Sequence, residues 1–282
     1  MKRIGNLYEK VCSIENLQLA DEKARKGKLR TYGVIEHDKK REVNLLKLRE
    51  TLLNGTFHTS KYDVFTIYEP KEREIYRLPY FPDRILHHAI MNVLEPIWVS
   101  TFTADTYSCI KNRGIHAAAK KVKQALREDP EGTTFCLKLD IRKFYPSINH
   151  DVLKSILRRK LKDKRLLRLL DEIIDSADGV PIGNYLSQYF ANLYLTYFDH
   201  WIKEQKRVKH YFRYADDIVI LASDKSYLHS LMGEIRAYLG DLKLEVKGNW
   251  QVFPVAARGI DFVGYVFFHT HTRMRKGIKK TF

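Results

Sequence analysis

His210-Tyr211-Phe212-Arg213-Tyr214-Ala215-Asp216-Asp217-Ile218-Val219-Ile220-Leu221-Ala222 sets two adjacent acids between an aromatic run and an aliphatic one. Strands rich in β-branched and aromatic residues on either side of a short polar dipeptide read as a β-hairpin with the acids at its tip. Leaving two carboxylates at a turn between buried strands is costly unless a cation sits there. The bland alternative is a solvated turn. The rest of the chain decides against it.

Upstream, Phe135-Cys136-Leu137-Lys138-Leu139-Asp140 is a short, mostly apolar strand that ends in a third acid, followed by a turn and a helix capped by Asn149. The end of a buried strand is where open sheets place catalytic groups, although a turn or capping Asp is the plain alternative. Between the two segments, Gly179, Pro181 and Gly183 make a tight loop. A long helix then runs from Ser187, with Phe190, Leu193, Tyr194, Tyr197, Phe198 and Trp201 repeating at three and four. That stripe reads as core, and Ser187 and Gln188 at the helix start are better placed to meet a ligand. After the hairpin, Tyr227 to Leu239 reads as a helix, Leu242 to Val246 as a strand, and two short strands follow around Gly259 and Gly264.

Toward the N-terminus, Leu45, Leu46, Leu48, Leu52 and Leu53 have helical spacing that Asn54-Gly55 ends. Tyr62 to Tyr68 and Glu74 to Leu78 are strand-like around the turn chemistry of Glu69-Pro70-Lys71-Glu72, which puts Lys71 and Arg73 at a hairpin tip. Two such cations can clamp a triphosphate, because guanidinium forks match phosphate oxygens; taken alone they read as surface charge. Asp83 is expected to cap a helix running through Ile97, with His87 and His88 as packing residues rather than metal ligands. A helix from Gly114 to Arg127 keeps its lysines outside.

The 282 residues carry 50 Lys and Arg against 34 Asp and Glu, a formal net charge of +16. An excess spread over the whole length suits a polyanion, most simply nucleic acid. The three cysteines, Cys12, Cys109 and Cys136, form neither a disulfide framework nor a zinc knuckle and fit a reducing cytoplasm. No apolar run reaches membrane-spanning length, and the N-terminus lacks a signal-peptide core. The expected location is cytoplasmic, without membrane contact.

Brought together, Asp140, Asp216 and Asp217 would bind two Mg²⁺ ions about 4 Å apart, the arrangement used for in-line phosphoryl transfer. Oxygen-only ligands suit Mg²⁺, with Mn²⁺ as a stand-in, and disfavour zinc.

In order along the chain, the hairpin with Lys71 and Arg73, PYFPDRILHHAI, LDIRKFYPS, PIGNYLSQYFANLYL, YADD and GIDFVGYVF resemble a reverse transcriptase over most of its length. The resemblance implies an α+β right-hand polymerase of fingers and palm, its antiparallel palm sheet packed on helices and its thumb absent or truncated. It divides the chain into an N-terminal extension with fingers (1–134, with interleaved palm entry), a palm (135–270) and the start of a thumb (271–282). Asp140, Asp216 and Asp217 become the catalytic and metal-binding triad, with Ile141 as a further metal contact. Tyr145 resembles the aromatic gate that excludes a 2′-hydroxyl. Lys71 and Arg73 match residues that hold the incoming triphosphate, while Ile182, Gly183 and Gln188 shape the nucleotide pocket. Phe262, Val263, Gly264 and Tyr265 resemble the primer grip, and Lys247 is a candidate general acid to pyrophosphate. Implied partners are an RNA template, a DNA or RNA primer and dNTPs.

One segment departs from the common pattern, which reads Gln-Gly and then Ser-Pro. Ile182-Gly183-Asn184-Tyr185-Leu186-Ser187-Gln188 resembles instead the diversity-generating retroelement enzymes, error-prone relatives in the group II intron-like bacterial lineage. An aliphatic side chain in place of an amide removes an orienting contact of about 1 kcal/mol, so discrimination between right and wrong pairs should fall. The resemblance also implies a small basic accessory protein. Rival readings are a group II intron-like, retron-like or phage-defence reverse transcriptase, and a non-catalytic RNA-binding scaffold on the same fold. An RNA-dependent RNA polymerase fits less well, because Tyr145 would obstruct a 2′-hydroxyl.

Overall fold

The structure, a computed structural model, describes residues 3–68 and 72–279. The chain enters through four helices, α1 (Tyr8–Cys12), α2 (Ile14–Ala24), α3 (Tyr32–Asp38) and α4 (Arg41–Leu53), then a two-stranded hairpin, β1 (Asp63–Ile67) and β2 (Arg73–Arg77). A wide helical turn, Tyr80–Arg84, leads into α5 (Ile85–Val99). Next come α6 (Ile115–Glu128), β3 (Phe135–Asp140) and the short α7 (Phe144–Ser147). The helices α8 (His150–Lys160), α9 (Lys164–Asp175), α10 (Tyr185–Tyr194) and α11 (Thr196–His200) follow. The last third contributes β4 (His210–Tyr214), β5 (Asp217–Ala222), α12 (Lys225–Asp241), β6 (Gln251–Pro254) and α13 (Val255–Arg258). It closes with β7 (Ile260–Phe262), β8 (Tyr265–Phe267), β9 (Thr272–Met274) and α14 (Lys276–Lys279).

These elements form two compact units, each discontinuous in sequence: Met1–Thr101 with Ile148–Leu193, and Phe102–Ser147 with Tyr194–Phe282. The first is helical apart from the hairpin. Leu17, Ala20 and Ala24 of α2 are buried, as are Ile85, Leu86, Ala89, Ile90, Leu94 and Trp98 along α5, and these two helices pack on each other. The stripe on α9 (Leu166, Leu169, Leu170, Ile173, Ile174) is buried at helical spacing, and α9 packs with α8. Asp163 caps α9 through the Leu166 amide (3.2 Å) and also accepts the amides of Leu7 and Tyr8, which fastens the chain's start to it.

The second unit is built on an antiparallel sheet ordered β4-β5-β3-β6. Strands buried on both faces need apolar side chains at successive positions, and β3 and β5 have them. Cys136, Phe212, Val219, Leu221 and Phe253 face a core shared with Ala118, Val122 and Leu126 of α6. Leu137, Leu139, Ile218 and Ile220 alternate to the other face, and α12 packs on β3, β5 and β6 with Leu231, Met232 and Ile235 buried.

Three expected elements differ. Asp83 does not cap α5: the wide turn starts the helix, which runs on to Val99, and the Asp83 carboxylate is buried and accepts the Ser60 amide (3.0 Å). The helix expected from Ser187 begins at Tyr185 and breaks at Leu195. Leu242 to Val246 gives only an isolated bridge, Ile141 opposite Val246, and the strand that extends the sheet is β6. β6 wins because Val252 and Phe253 fall in register with Leu137 and Cys136.

Candidate active site

The β4–β5 hairpin turns through Ala215 and Asp216, with Ala215 in the left-handed region at φ +55°. Asp217 opens β5 and lies directly across from Asp140, the last residue of β3. Sheet register therefore brings Asp140 and Asp217 together at one end of the two inner strands, with Asp216 next to them in the turn. Burial first, and then the neighbouring Asp140 carboxylate, push the Asp216 carboxyl well above the usual carboxylate range. Burial also raises Asp217, against the pull of Lys138.

Two lysines answer these charges. Lys138 pairs with Asp217, and Lys247 with Asp140, whose carbonyl also accepts the Lys247 amide (2.9 Å). The other Asp140 oxygen is buried without a hydrogen-bond partner. Among the described residues no three His, Cys, Asp or Glu side chains form a ready-made metal cluster. An all-oxygen donor set with an orphaned oxygen and a carboxyl strained toward its neutral form still fits a hard divalent cation, which would relieve both. Ile141 could add only its carbonyl. The bonds flanking its pairing with Val246 run from Arg142 to Glu245 and from Lys247 to Asp140, so Ile141's own carbonyl points away from that segment.

Tyr145, on α7, packs edge-on against Phe144 (5.7 Å between centroids). Burial, with Cys109 and Asp216 adding to it, holds its phenol protonated well above the ordinary range. Phe262 ends β7 and Tyr265 opens β8; between them Val263 (φ +44°) and Gly264 (φ +89°) are both left-handed, as a two-residue hairpin turn requires. The Lys138 ammonium lies 5.1 Å from the Phe262 ring centre, so one lysine touches both this turn's base and Asp217.

The remaining expected residues belong to the first unit. Arg73 opens β2 and is exposed; Lys71 lies outside the described residues. The Ile182 carbonyl accepts the Tyr76 amide (2.8 Å), pinning the loop before α10 to β2. Gly183 must be glycine: at φ +119° a Cβ would stand 2.5 Å from the Tyr76 carbonyl oxygen. Ser187 is buried and Gln188 exposed.

A model of the reverse transcriptase (RNA-dependent DNA polymerase) family matches residues 69–267. The chain belongs to the reverse transcriptase family. Protein YkfC of Escherichia coli (strain K12) is 26% identical over 279 residues, covering 82% of this chain and 73% of its own. The group II intron-encoded protein LtrA of Lactococcus lactis subsp. cremoris is 23% identical over 191 residues, 62% of this chain and 31% of LtrA. Apo telomerase from Candida tropicalis superposes with a TM-score of 0.55 at 12% identity, over 77% of this chain and 49% of that one. Telomerase from Candida albicans, solved with a TWJ fragment of telomeric RNA, gives 0.56 at 13%, over 80% and 48%. This chain thus spans about a third of LtrA and about half of each telomerase chain. The structural likeness carries the fold: a mixed helix-and-sheet polymerase body. No described helix is long and apolar enough to cross a membrane.

Sequence reasoning misses two features of this site. Lys138 reads as one more strand residue, although its spacing two before Asp140 puts both on one face. Arg213 and Asp199 form a fully buried ion pair beneath the hairpin. A charged residue inside an otherwise apolar strand is the available signal, because it demands a partner.

Proposed function

We propose that the chain is an RNA-directed DNA polymerase that adds dNTPs to a primer 3′-hydroxyl on an RNA template. The observation that carries this reading is the register of Asp140 opposite Asp217, with Asp216 one residue away in the turn. Asp140, Asp216 and Asp217, with the Ile141 carbonyl, would hold two Mg²⁺ or Mn²⁺ ions. When bound, these supply Lewis-acid stabilisation of the attacking hydroxyl and of the departing pyrophosphate. Tyr145 would pack under the sugar and reject a 2′-hydroxyl. Lys71 and Arg73 donate to the triphosphate oxygens, while Ile182, Gly183 and Gln188 shape the pocket around the nucleotide. Lys247, paired with Asp140, is the candidate to deliver a proton from Nζ to pyrophosphate. Phe262 to Tyr265 hold the primer end.

The finer reading is an error-prone enzyme of a diversity-generating retroelement, working with a small basic accessory protein. It rests on Ile182 and Gln188. A second reading, an intron-type reverse transcriptase, is favoured by the similarity to LtrA. Primer extension on a mixed-sequence RNA template with Mg²⁺ and dNTPs, beside an Asp216→Asn, Asp217→Asn protein, tests both. Extension by the parent only, with errors clustered at template adenines, is the expected result. Accurate extension would favour the intron-type reading. No extension, with candidate accessory protein and RNA supplied, would overturn the polymerase reading in favour of a scaffold.

A further inference from the structure

The hairpin that carries Asp216 stands on a sealed polar network in the second unit. Arg213 of β4 and Asp199 of α11 are both fully buried. The guanidinium Nε donates to Asp199 Oδ1 (2.7 Å) and Nη2 to Oδ2 (2.5 Å). The same carboxylate accepts the Tyr211 hydroxyl on Oδ1 (2.5 Å) and the Thr106 hydroxyl on Oδ2 (3.0 Å). The third guanidinium nitrogen, Nη1, donates to the carbonyl of Ala215 (3.0 Å). That carbonyl belongs to the left-handed residue immediately before Asp216. The Arg213 backbone is fixed as well, its amide donating to the Asp105 carbonyl and its carbonyl accepting the Tyr107 amide (both 3.0 Å).

A buried ion pair is weak evidence of a stability role, since apolar residues of similar volume often serve as well. Apolar residues could not, however, reach a carbonyl. A planar guanidinium anchored by two nitrogens has its third in a fixed place, so the position of α11 is transmitted to the turn. An alanine in the left-handed region costs energy that something must hold in place, and the Nη1 bond is placed to hold it.

We propose that Arg213, clamped by Asp199, is a positioning residue that fixes the Ala215–Asp216 turn so that the Asp216 carboxylate is presented beside Asp140 for a divalent cation. This rests on the reading of Asp216 as a metal ligand. It assigns a role to the arginine before the acidic pair that packing alone does not require.

The test is Arg213→Lys, which keeps a buried cation but cannot both fork onto Asp199 and reach Ala215. Asp199→Asn is its companion, loosening the clamp from the other side. Both are compared with Leu169→Ala, a core truncation in the first unit. Mn²⁺ binding is measured by calorimetry on the whole protein without nucleic acid, together with thermal unfolding and the Mg²⁺ dependence of primer extension. Arg213→Lys and Asp199→Asn should each weaken Mn²⁺ binding about 10- to 100-fold and raise the half-maximal Mg²⁺ concentration in parallel. Leu169→Ala should lower Tm with no change in Mn²⁺ affinity. Folded Arg213→Lys with parental Mn²⁺ affinity overturns the proposal; if that variant does not fold, parental affinity in Asp199→Asn does so. If the parent binds Mn²⁺ but extends no primer, the polymerase reading fails while the calorimetry still decides the role of Arg213. A parent that binds no Mn²⁺ overturns both.

Discussion

Each unit of the molecule holds a buried aspartate that ties several side chains together, and these two hubs are sealed differently. In the first, Asp21 of α2 accepts Arg25 Nη2 (2.7 Å), Arg41 Nε (2.6 Å) and the Tyr80 hydroxyl (2.5 Å), drawing α2, α4 and the turn before α5 together. Its arginines keep a face to water, Arg25 being 18% and Arg41 39% exposed. In the second, Asp199, Arg213, Tyr211 and Thr106 are all at 0%. The open hub gathers helices. The sealed one ends in a carbonyl beside Asp216, and only there is an arginine denied any solvent.

The difference predicts unequal costs. Removing a carboxylate from a sealed pair strands the remaining charge, whereas partly exposed arginines can turn to water. Asp199→Ala should destabilise the protein by about 3–5 kcal/mol, and Asp21→Ala by about 1–3 kcal/mol, close to the loss of the hydrogen bonds alone. Denaturant unfolding of the two variants side by side checks this. Equal losses would mean that sealing is not what distinguishes the hubs.

Neither hub was visible as such in the sequence, and the reason is physical. Hairpins, caps and helical stripes are local, so their residues declare themselves by spacing. The β4–β5 hairpin, β3, α4 and the Asn149 cap, whose side chain accepts the Val152 amide (3.1 Å), are all legible in that way. The acids of the candidate site were legible because motif order along the chain is linear. Asp199 and Arg213 stand 14 residues apart on a helix and a strand, and Asp21 and Tyr80 are 59 apart. Which of many acids meets which of many bases is decided by packing, and packing leaves no period in the sequence. The same holds for β6, which pairs with β3 because its register fills the core, while Leu242 to Val246, expected as a strand, gives only an isolated bridge.

A smaller effect sharpens the contrast through pH. The first unit also buries His87 of α5, and burial, then His88 and Arg84, hold its imidazole down at about 3. A histidine whose folded pKa lies below its unfolded value of roughly 6.5 favours the unfolded state as it protonates. Its stability contribution is complete above pH 6.5 and is lost as pH falls from there toward 3. Asp21 is depressed too: burial raises it, but His37, Tyr80, Arg41 and Arg25 around the carboxylate outweigh that, so its contribution is lost only below the ordinary carboxylate range. Between pH 6.5 and pH 5 stability should therefore fall by about 2 kcal/mol from His87 alone. His87→Leu should flatten that slope, and hydrogen exchange should locate the loss in α5. A slope unchanged in His87→Leu would move the acid sensitivity elsewhere.

The smallest expected change in stability comes from the part of the first unit least tied to either hub. The hairpin strands β1 and β2 are mostly exposed, and Arg73 makes no ion pair with any described residue. A side chain that neither packs nor pairs contributes little to folding, so Arg73→Ala should shift stability by no more than about 0.5 kcal/mol. Its function is a separate matter. If Arg73 grips the triphosphate equally in the ground and transition states, its loss should raise the dNTP KM with kcat kept, as uniform binding requires. A residue that instead acted only in the transition state would lower kcat and kcat/KM together. Steady-state kinetics on Arg73→Ala beside Arg213→Lys separates the two proposed designs: an exposed cation that captures the nucleotide, and a buried one that holds the turn carrying the acids of the candidate site. A fall in kcat for Arg73→Ala with parental KM would break that division, because the exposed hairpin would then share in the chemistry itself.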